Sequence, residues 1–221
     1  MASVPKLYVE GRNDQFVIAN LLKAHGIELS PEGLDPTRPI IEPSKTSGGQ
    51  IADVSYLVKT LDSKIKVSEK PVGFVFDADP DVGMAARWQS VRARLSKVAV
   101  ASPAKIPVGG FVGESTEYKV RVGVWLMPDN QRDGKLETFL RDLINEKDSL
   151  IEIAIQAAAK AAEVEQRYRD VDRPKAELFT WLAWQAVPGL PYGTAVASNY
   201  FQTDTQLALA FVEWFRGLYG I

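Results

Sequence analysis

The stretch that most restricts what this chain can fold into is PVGFVFDADPD, residues 71–81. An unbroken apolar run, Val72-Gly73-Phe74-Val75-Phe76, ends abruptly in Asp77, Asp79 and Asp81. A short apolar run bounded by turn formers reads as a strand covered on both faces, the habit of strands inside a parallel sheet. Its acids then fall at the strand's carboxyl end, where open α/β sheets place their ligands. Asp77 and Asp79 are two residues apart and share a face wherever the strand continues. Two like charges this close repel unless a cation or a proton neutralises one of them. Hard oxygen ligands converging on one point suit Mg²⁺ or Mn²⁺. The same residues also read as a solvated turn after a strand, since Asp and Pro both favour turns.

A second strand end repeats the pattern. Lys6-Leu7-Tyr8-Val9 is apolar and runs into Glu10, and Gly11-Arg12-Asn13-Asp14 makes the turn. Asn13 is the expected N-cap of a helix whose apolar side is Phe16, Val17, Ile18, Leu21 and Leu22, stopping at Gly26. Residues 39–42 read as a short strand, followed by a small, flexible Ser44–Gly49 loop and a helix from about Gln50 to Leu61. Beyond the central run, residues 83–95 read as a helix carrying Arg87, Arg92 and Arg94 on a solvated face. Strand-like segments follow at 98–101, 109–112 and 119–127, and Leu136 starts another helix with Glu137 in its first turn. Strands alternating with helices predict a mostly parallel α/β sheet flanked by helices.

From Ser149 the character changes to helix after helix. Ser149 with Glu152 predicts a capping box, Asp172 caps a helix through Trp181 and Trp184, residues 188–193 form a rigid loop, and a last helix spans about 205–219. The expected organisation is an α/β core over residues 1–148 with a helical C-terminal extension, 149–221, packed on it. Trp181, Trp184, Trp214 and Phe215 suit a core at helical spacing better than a nucleic-acid stacking surface.

Composition removes several kinds of chemistry. With no cysteine there is no disulfide, thiolate zinc site or cysteine nucleophile. A single histidine, His25, rules out a multi-histidine metal site and disfavours a Ser-His-Asp triad. A formal net charge of −2 supplies no global basic field for nucleic acid, leaving local patches or bridging metals to do that work. MASVPKLYVEG lacks the apolar core of a signal peptide and no run is long enough to cross a bilayer, so the expected location is cytoplasmic. Glu10, Asp14, Asp77, Asp79 and Glu137 are therefore the carboxylates around which chemistry can be built. Ions held there polarise a phosphoryl oxygen and help generate hydroxide, which suits phosphodiester hydrolysis.

Glu10 after a strand inside VEGRND, followed by the strand-end Asp77-Ala78-Asp79, resembles the Toprim domain of topoisomerases, bacterial primases, maturation ribonucleases and the overcoming-lysogenization-defect nucleases. The step from Glu10 to Asp14, and the later GKLE at residues 134–137, look like the variant found in those last nucleases. GVWLMPDNQRDGKLETFL, WLAWQAVPGLPYG and the Phe-x-x-Trp-Phe of residues 211–215 look closest to an uncharacterised Toprim-like family often encoded beside ATPases. The resemblance covers about residues 5–145. It implies that Asp77 and Asp79 bind Mg²⁺ or Mn²⁺, that Glu10 is a ligand or general acid/base, and that Asp14 and Glu137 complete a second metal site. It further implies a nuclease acting on DNA or RNA, with an ATPase partner, in genome maintenance or phage defence. Such sites also use a basic residue near the scissile phosphate, for which Lys45, Lys135 and Arg132 are the candidates. Asp81, Asp129 and Asp133 read as loop acids. A non-catalytic Toprim module that binds nucleic acid or protein, and another magnesium-dependent phosphotransfer enzyme, are the alternatives. An apolar C-terminal helix also suits a homodimer.

Overall fold

The computed structural model of the chain describes residues 3–44 and 54–221. Its strands and α-helices, in chain order, are β1 (Lys6–Val9), α1 (Arg12–Ala24), β2 (Ile40–Pro43), α2 (Val54–Lys66), β3 (Val72–Asp77) and α3 (Met84–Leu95). They continue with β4 (Phe111–Ser115), β5 (Val120–Met127), α4 (Leu136–Arg141), α5 (Ser149–Glu165), α6 (Arg173–Ala183), α7 (Tyr192–Ala197) and α8 (Gln206–Tyr219). The strands form one sheet in the order β2-β1-β3-β5-β4. The first three pairings are parallel, and β4 is an antiparallel edge strand on β5. The fold is α/β, and the central apolar run is its middle strand.

Alternation along three strands sorts two cores onto the two faces of this sheet. Leu7, Val9, Val75, Trp125 and Met127 point to one face, where they pack with side chains from α1 and α4 to α8. Tyr8, Phe74, Phe76, Val122 and Val124 point to the other, against Leu57 and Leu61 of α2 and Trp88 and Val91 of α3. The helices after residue 149 thus share one continuous core with β1, β3 and β5. Two glycines let the last of them approach. Gly73 and Gly123 are register partners on β3 and β5, and a Cβ at either would lie 2.8 Å and 2.5 Å from Leu218 Cδ2. Tyr219 at the end of α8 donates its hydroxyl to the carbonyl of Lys6 at 2.7 Å.

Several local expectations are corrected. The cap of α1 is Gly11, and Asn13 lies inside the first turn. α5 is capped by Asp148, whose side chain accepts the Leu150 N–H, rather than by Ser149. Residues 98–101 contain a 3₁₀ turn and a single bridge from Val100 to Ser115 rather than a strand. The end of the expected Pro188–Gly193 loop is already the first turn of α7. The Ser47-Gly48-Gly49 loop, Lys45 and the expected helix start near Gln50 lie outside the described residues.

Candidate active site

Parallel pairing brings the expected acids to one edge. β1 and β3 run side by side with Lys6 opposite Val72 and Tyr8 opposite Phe74, so their carboxyl ends emerge together. Glu10 follows β1 directly and Asp77 is the last residue of β3. They are joined, the Asp77 N–H donating to Glu10 Oε1 at 2.6 Å. Asp14, in the first turn of α1, reaches back so that its Oδ2 accepts the Gly11 N–H at 3.0 Å. Asp77 Oδ1 accepts the Leu136 N–H at 3.2 Å, which fixes the start of α4, and so Glu137, against the same edge. Asp14, Asp77, Leu136 and Glu137 line a cleft of about 320 Å³ with Gly11 and Arg12.

Burial makes ionising the acids of this cluster costly. Burial pushes the Glu10 carboxyl up to about 8; the Asp77 N–H opposes the shift, Asp14 adds to it, and Arg87 opposes. Burial likewise raises Asp14 to about 7, held back by backbone hydrogen bonds and helped by the charge of Glu137. Asp77 is held well above the usual carboxylate range by burial first, then by Glu10, Asp14, Glu137 and Asp79. A carboxyl raised on folding binds more protons in the folded than in the unfolded chain, so its contribution to stability falls as pH rises. For Glu10 the window runs from its ordinary value of 4.5 to about 8. Glu10→Gln keeps an oxygen for the Asp77 N–H and removes the charge. The variant is therefore expected to melt progressively higher than wild type as pH is raised from 5 to 8 without metal. A melting-temperature difference that is flat across that range would contradict the charge assignment.

Asp79 does not continue the strand. Its carbonyl accepts the Val82 and Gly83 N–H groups in a turn, and Ala78 bridges to Gly134 instead. Its carboxylate carries two internal cations, Lys135 Nζ at 2.7 Å and the Arg87 guanidinium at 3.9 Å. Burial pulls the Lys135 ammonium down, but Asp79, Asp77 and Asp172 outweigh it and hold the group above its ordinary value. Arg87 corrects the solvated-face expectation: it is 5% exposed, and its Nε donates to the Asp77 carbonyl at 3.1 Å. The signal was present in the sequence, since Arg87 shares the buried face of α3 with Trp88 and Val91 at helical spacing. Arg132 is committed to Asp129 and Asp142. Asp133 accepts the Met84 N–H at the start of α3, and Asp81 is exposed in the turn.

The donor chemistry fits a divalent metal ion. The candidate ligands are hard carboxylate oxygens, and a carboxylate that accepts one backbone N–H retains lone pairs for a cation. Such an ion would offset the cost of ionising these buried acids. Among the described residues no group of three or more acidic or histidine side chains is arranged to hold one ion as it stands, so ligation requires these side chains to turn toward one another. Glu10, Asp14, Asp77 and Glu137 form the cluster, and Asp79 adjoins it through Lys135 and Arg87.

Other features carry less chemistry. A cavity of about 790 Å³ lies beside Trp125, Arg132, Asn145, Lys147, Gln202 and Leu207. It contains none of the clustered acids, and its guanidinium is already neutralised by two carboxylates. Trp181, Trp214 and Phe215 are buried, whereas Trp184 is exposed. His25 Nε2 donates a hydrogen bond to the Thr203 carbonyl, 2.7 Å away, behind the end of α1. Among the described residues no helix is long and apolar enough to cross a membrane. One protein family matches residues 4–220, and its description is a protein of unknown function, DUF3226. No curated protein and no solved structure matches the chain.

Proposed function

Because the chain belongs to the DUF3226 family, whose function is unknown, its activity has to be read from its own residues, and we propose that they form a Toprim-type phosphodiesterase dependent on Mg²⁺ or Mn²⁺ and acting on DNA or RNA. The observation that carries this reading is the junction of two strand ends, Asp77 N–H to Glu10 Oε1, with Asp14 and Glu137 drawn to the same edge. Such an edge is where open α/β sheets bind ligands. Asp77, Asp14 and Glu137 would hold metal, with Asp79 joining them once Lys135 turns toward substrate. A bound ion would polarise the phosphoryl oxygen and stabilise the leaving oxygen. Glu10, its proton held to about pH 8, is the group placed to give or take a proton. Lys135 takes the role of the basic residue near the scissile phosphate, since its ammonium sits on Asp79 beside the cluster, whereas Arg132 is committed to Asp129 and Asp142. An ATPase partner, a role in genome maintenance or phage defence, a cytoplasmic location and a homodimer belong to the same proposal.

One observation favours a second reading. Asp79 already has cations on both sides from within the protein, Lys135 and Arg87, as in a site that no longer needs metal. That reading is a non-catalytic Toprim module binding nucleic acid or protein. The two separate in one experiment with supercoiled plasmid, linear duplex, single-stranded DNA and RNA, each with 5 mM EDTA, about 5 mM Mg²⁺ or about 5 mM Mn²⁺. The nuclease reading expects cleavage of at least one substrate with metal and none with EDTA. Retention of substrate in a gel shift with no cleavage in any lane would favour the module.

A further inference from the structure

The rim of the acid cleft carries a cation and an aromatic ring that the fold itself does not use. Arg12, the first residue of α1, lines the cleft with Asp14, Asp77 and Glu137. It is exposed, and its guanidinium forms no ion pair or hydrogen bond with any described residue. Phe16 stands four residues further on, and so neighbours Arg12 on one face of the helix, about one 5.4 Å turn away. Long side chains on a helix lean toward its N-terminus, which carries the Phe16 ring back over the turn that holds Arg12. That ring is 54% exposed, although phenylalanine gains by burial. Its root is nevertheless fixed. Gly193 of α7 lies so close that a Cβ there would come 2.5 Å from Phe16 Cβ, and Asn20 Nδ2 donates to the Phe16 and Gly193 carbonyls at 2.9 and 3.1 Å. A second exposed ring, Phe179 of α6, stacks on Tyr192, the residue before Gly193, with centroids 4.9 Å apart. Of the three exposed Phe and Trp side chains among the described residues, two therefore border consecutive residues of α7.

A single exposed phenylalanine needs no explanation. An exposed ring next to an unpaired guanidinium, at the mouth of a cleft lined by candidate metal ligands, matches the two halves of a nucleotide. We propose that Arg12 and Phe16 form a nucleotide subsite there, Arg12 holding a backbone phosphate and Phe16 stacking on its base, so that the substrate is single-stranded DNA or RNA. The inference rests on the metal-dependent reading above and narrows its substrate. Aromatic side chains stack on bases that are free of their neighbours, and in a duplex each base is already covered by the next pair. With a formal net charge of −2, the chain supplies no broad basic surface for the backbone of a duplex, and local groups such as Arg12 have to hold the strand.

The test is a fluorescence-anisotropy titration of the full chain against a labelled oligothymidylate and a labelled duplex of equal length, with EDTA present so that nothing is cut. Wild type is expected to bind the single strand more tightly than the duplex. Phe16→Ala keeps the Cβ that touches Gly193, so its melting temperature is expected to stay close to wild type. Its affinity for the single strand is expected to fall about 5- to 100-fold, the range for losing one stacked base, while Phe16→Trp retains it. Arg12→Gln is expected to reduce the slope of log affinity against log salt by about 0.7, as for one phosphate contact on a single strand. Equal wild-type affinity for the two oligomers, an undiminished affinity in Phe16→Ala, or an equal loss on both oligomers would overturn the subsite. Wild type that binds neither oligomer would overturn it too. In each case the metal-dependent reading is judged separately, by the cleavage experiment with and without metal.

Discussion

Asp77→Asn is expected to abolish metal-dependent cleavage while leaving the metal-free protein at least as stable as wild type at pH 8. The two halves of that result have one cause. Burial raises Asp77 first, and Glu10, Asp14, Glu137 and Asp79 all add to the shift. Asparagine keeps an oxygen for the Leu136 N–H, so the start of α4 stays in place. It removes a buried charge, which relieves the folded state at any pH where Asp77 is ionised. It also removes the charge that would draw a metal ion into the cleft. If the ion supplies several kcal/mol of transition-state stabilisation, as metals commonly do, cleavage falls by about 10³-fold. Plasmid cleavage with Mn²⁺ and a thermal melt with EDTA check both halves. Undiminished cleavage would remove Asp77 from the site. A melt lowered by many degrees would mean that the acid is structural.

Trp214→Ala is expected to cost about 3–5 kcal/mol, the range for emptying a large aromatic site in a core. For a chain of this size that lowers the melting temperature by on the order of 10 °C. Trp214 is 3% exposed and belongs to a triangle with Trp125 and Phe211, centroids 5.7 and 5.4 Å away. Its Nε1 donates to the buried carbonyl of Phe111 on the edge strand at 3.0 Å, and alanine leaves that carbonyl unpaired. Gly110 makes the contact possible: a Cβ there would lie 2.4 Å from the Trp214 ring, and its φ of +80° is one that glycine adopts without strain. Trp214→Phe keeps most of the ring and loses the N–H, so a smaller cost is expected in urea unfolding. Less than about 1 kcal/mol for the alanine variant would mean that α8 is not part of the core.

The sequence was most legible where local pattern and burial agree. An apolar run with no polar break has no face for water, and residues 72–77 are the middle strand. The acids at two strand ends meet because parallel strands end on one side, a property of topology that period and order together imply. Orientation is different. Nothing in FVGES says that β4 runs antiparallel, because strand direction is decided by the connection and not by the residues. α7 was hidden by its own flanks: Pro188, Gly189 and Pro191 read as a loop, and six residues are too few to show a period. Asp79 was misplaced for a related reason. The strand stops at Asp77, and a spacing of two carries meaning only while the strand lasts. Arg87 was assigned by residue type to a solvated face, although its position beside Trp88 and Val91 marked it as buried.

The bond from Tyr219 to the Lys6 carbonyl spans 213 positions of the chain. It has a consequence for synthesis as well as for the finished fold. Leu7, Gly73 and Gly123 are covered by Leu218 and Tyr219, so the patch of the sheet over the paired glycines stays uncovered until α8 has left the ribosome. Contacts between such distant residues close late and slow folding. At about 5–20 residues per second, some seconds or more separate the emergence of β1 from that of its cover. During that interval the nascent chain exposes apolar surface of the kind that chaperones bind. Ribosome-bound chains halted before residue 206 are expected to remain protease-sensitive, and chains long enough for α8 to emerge to gain protection.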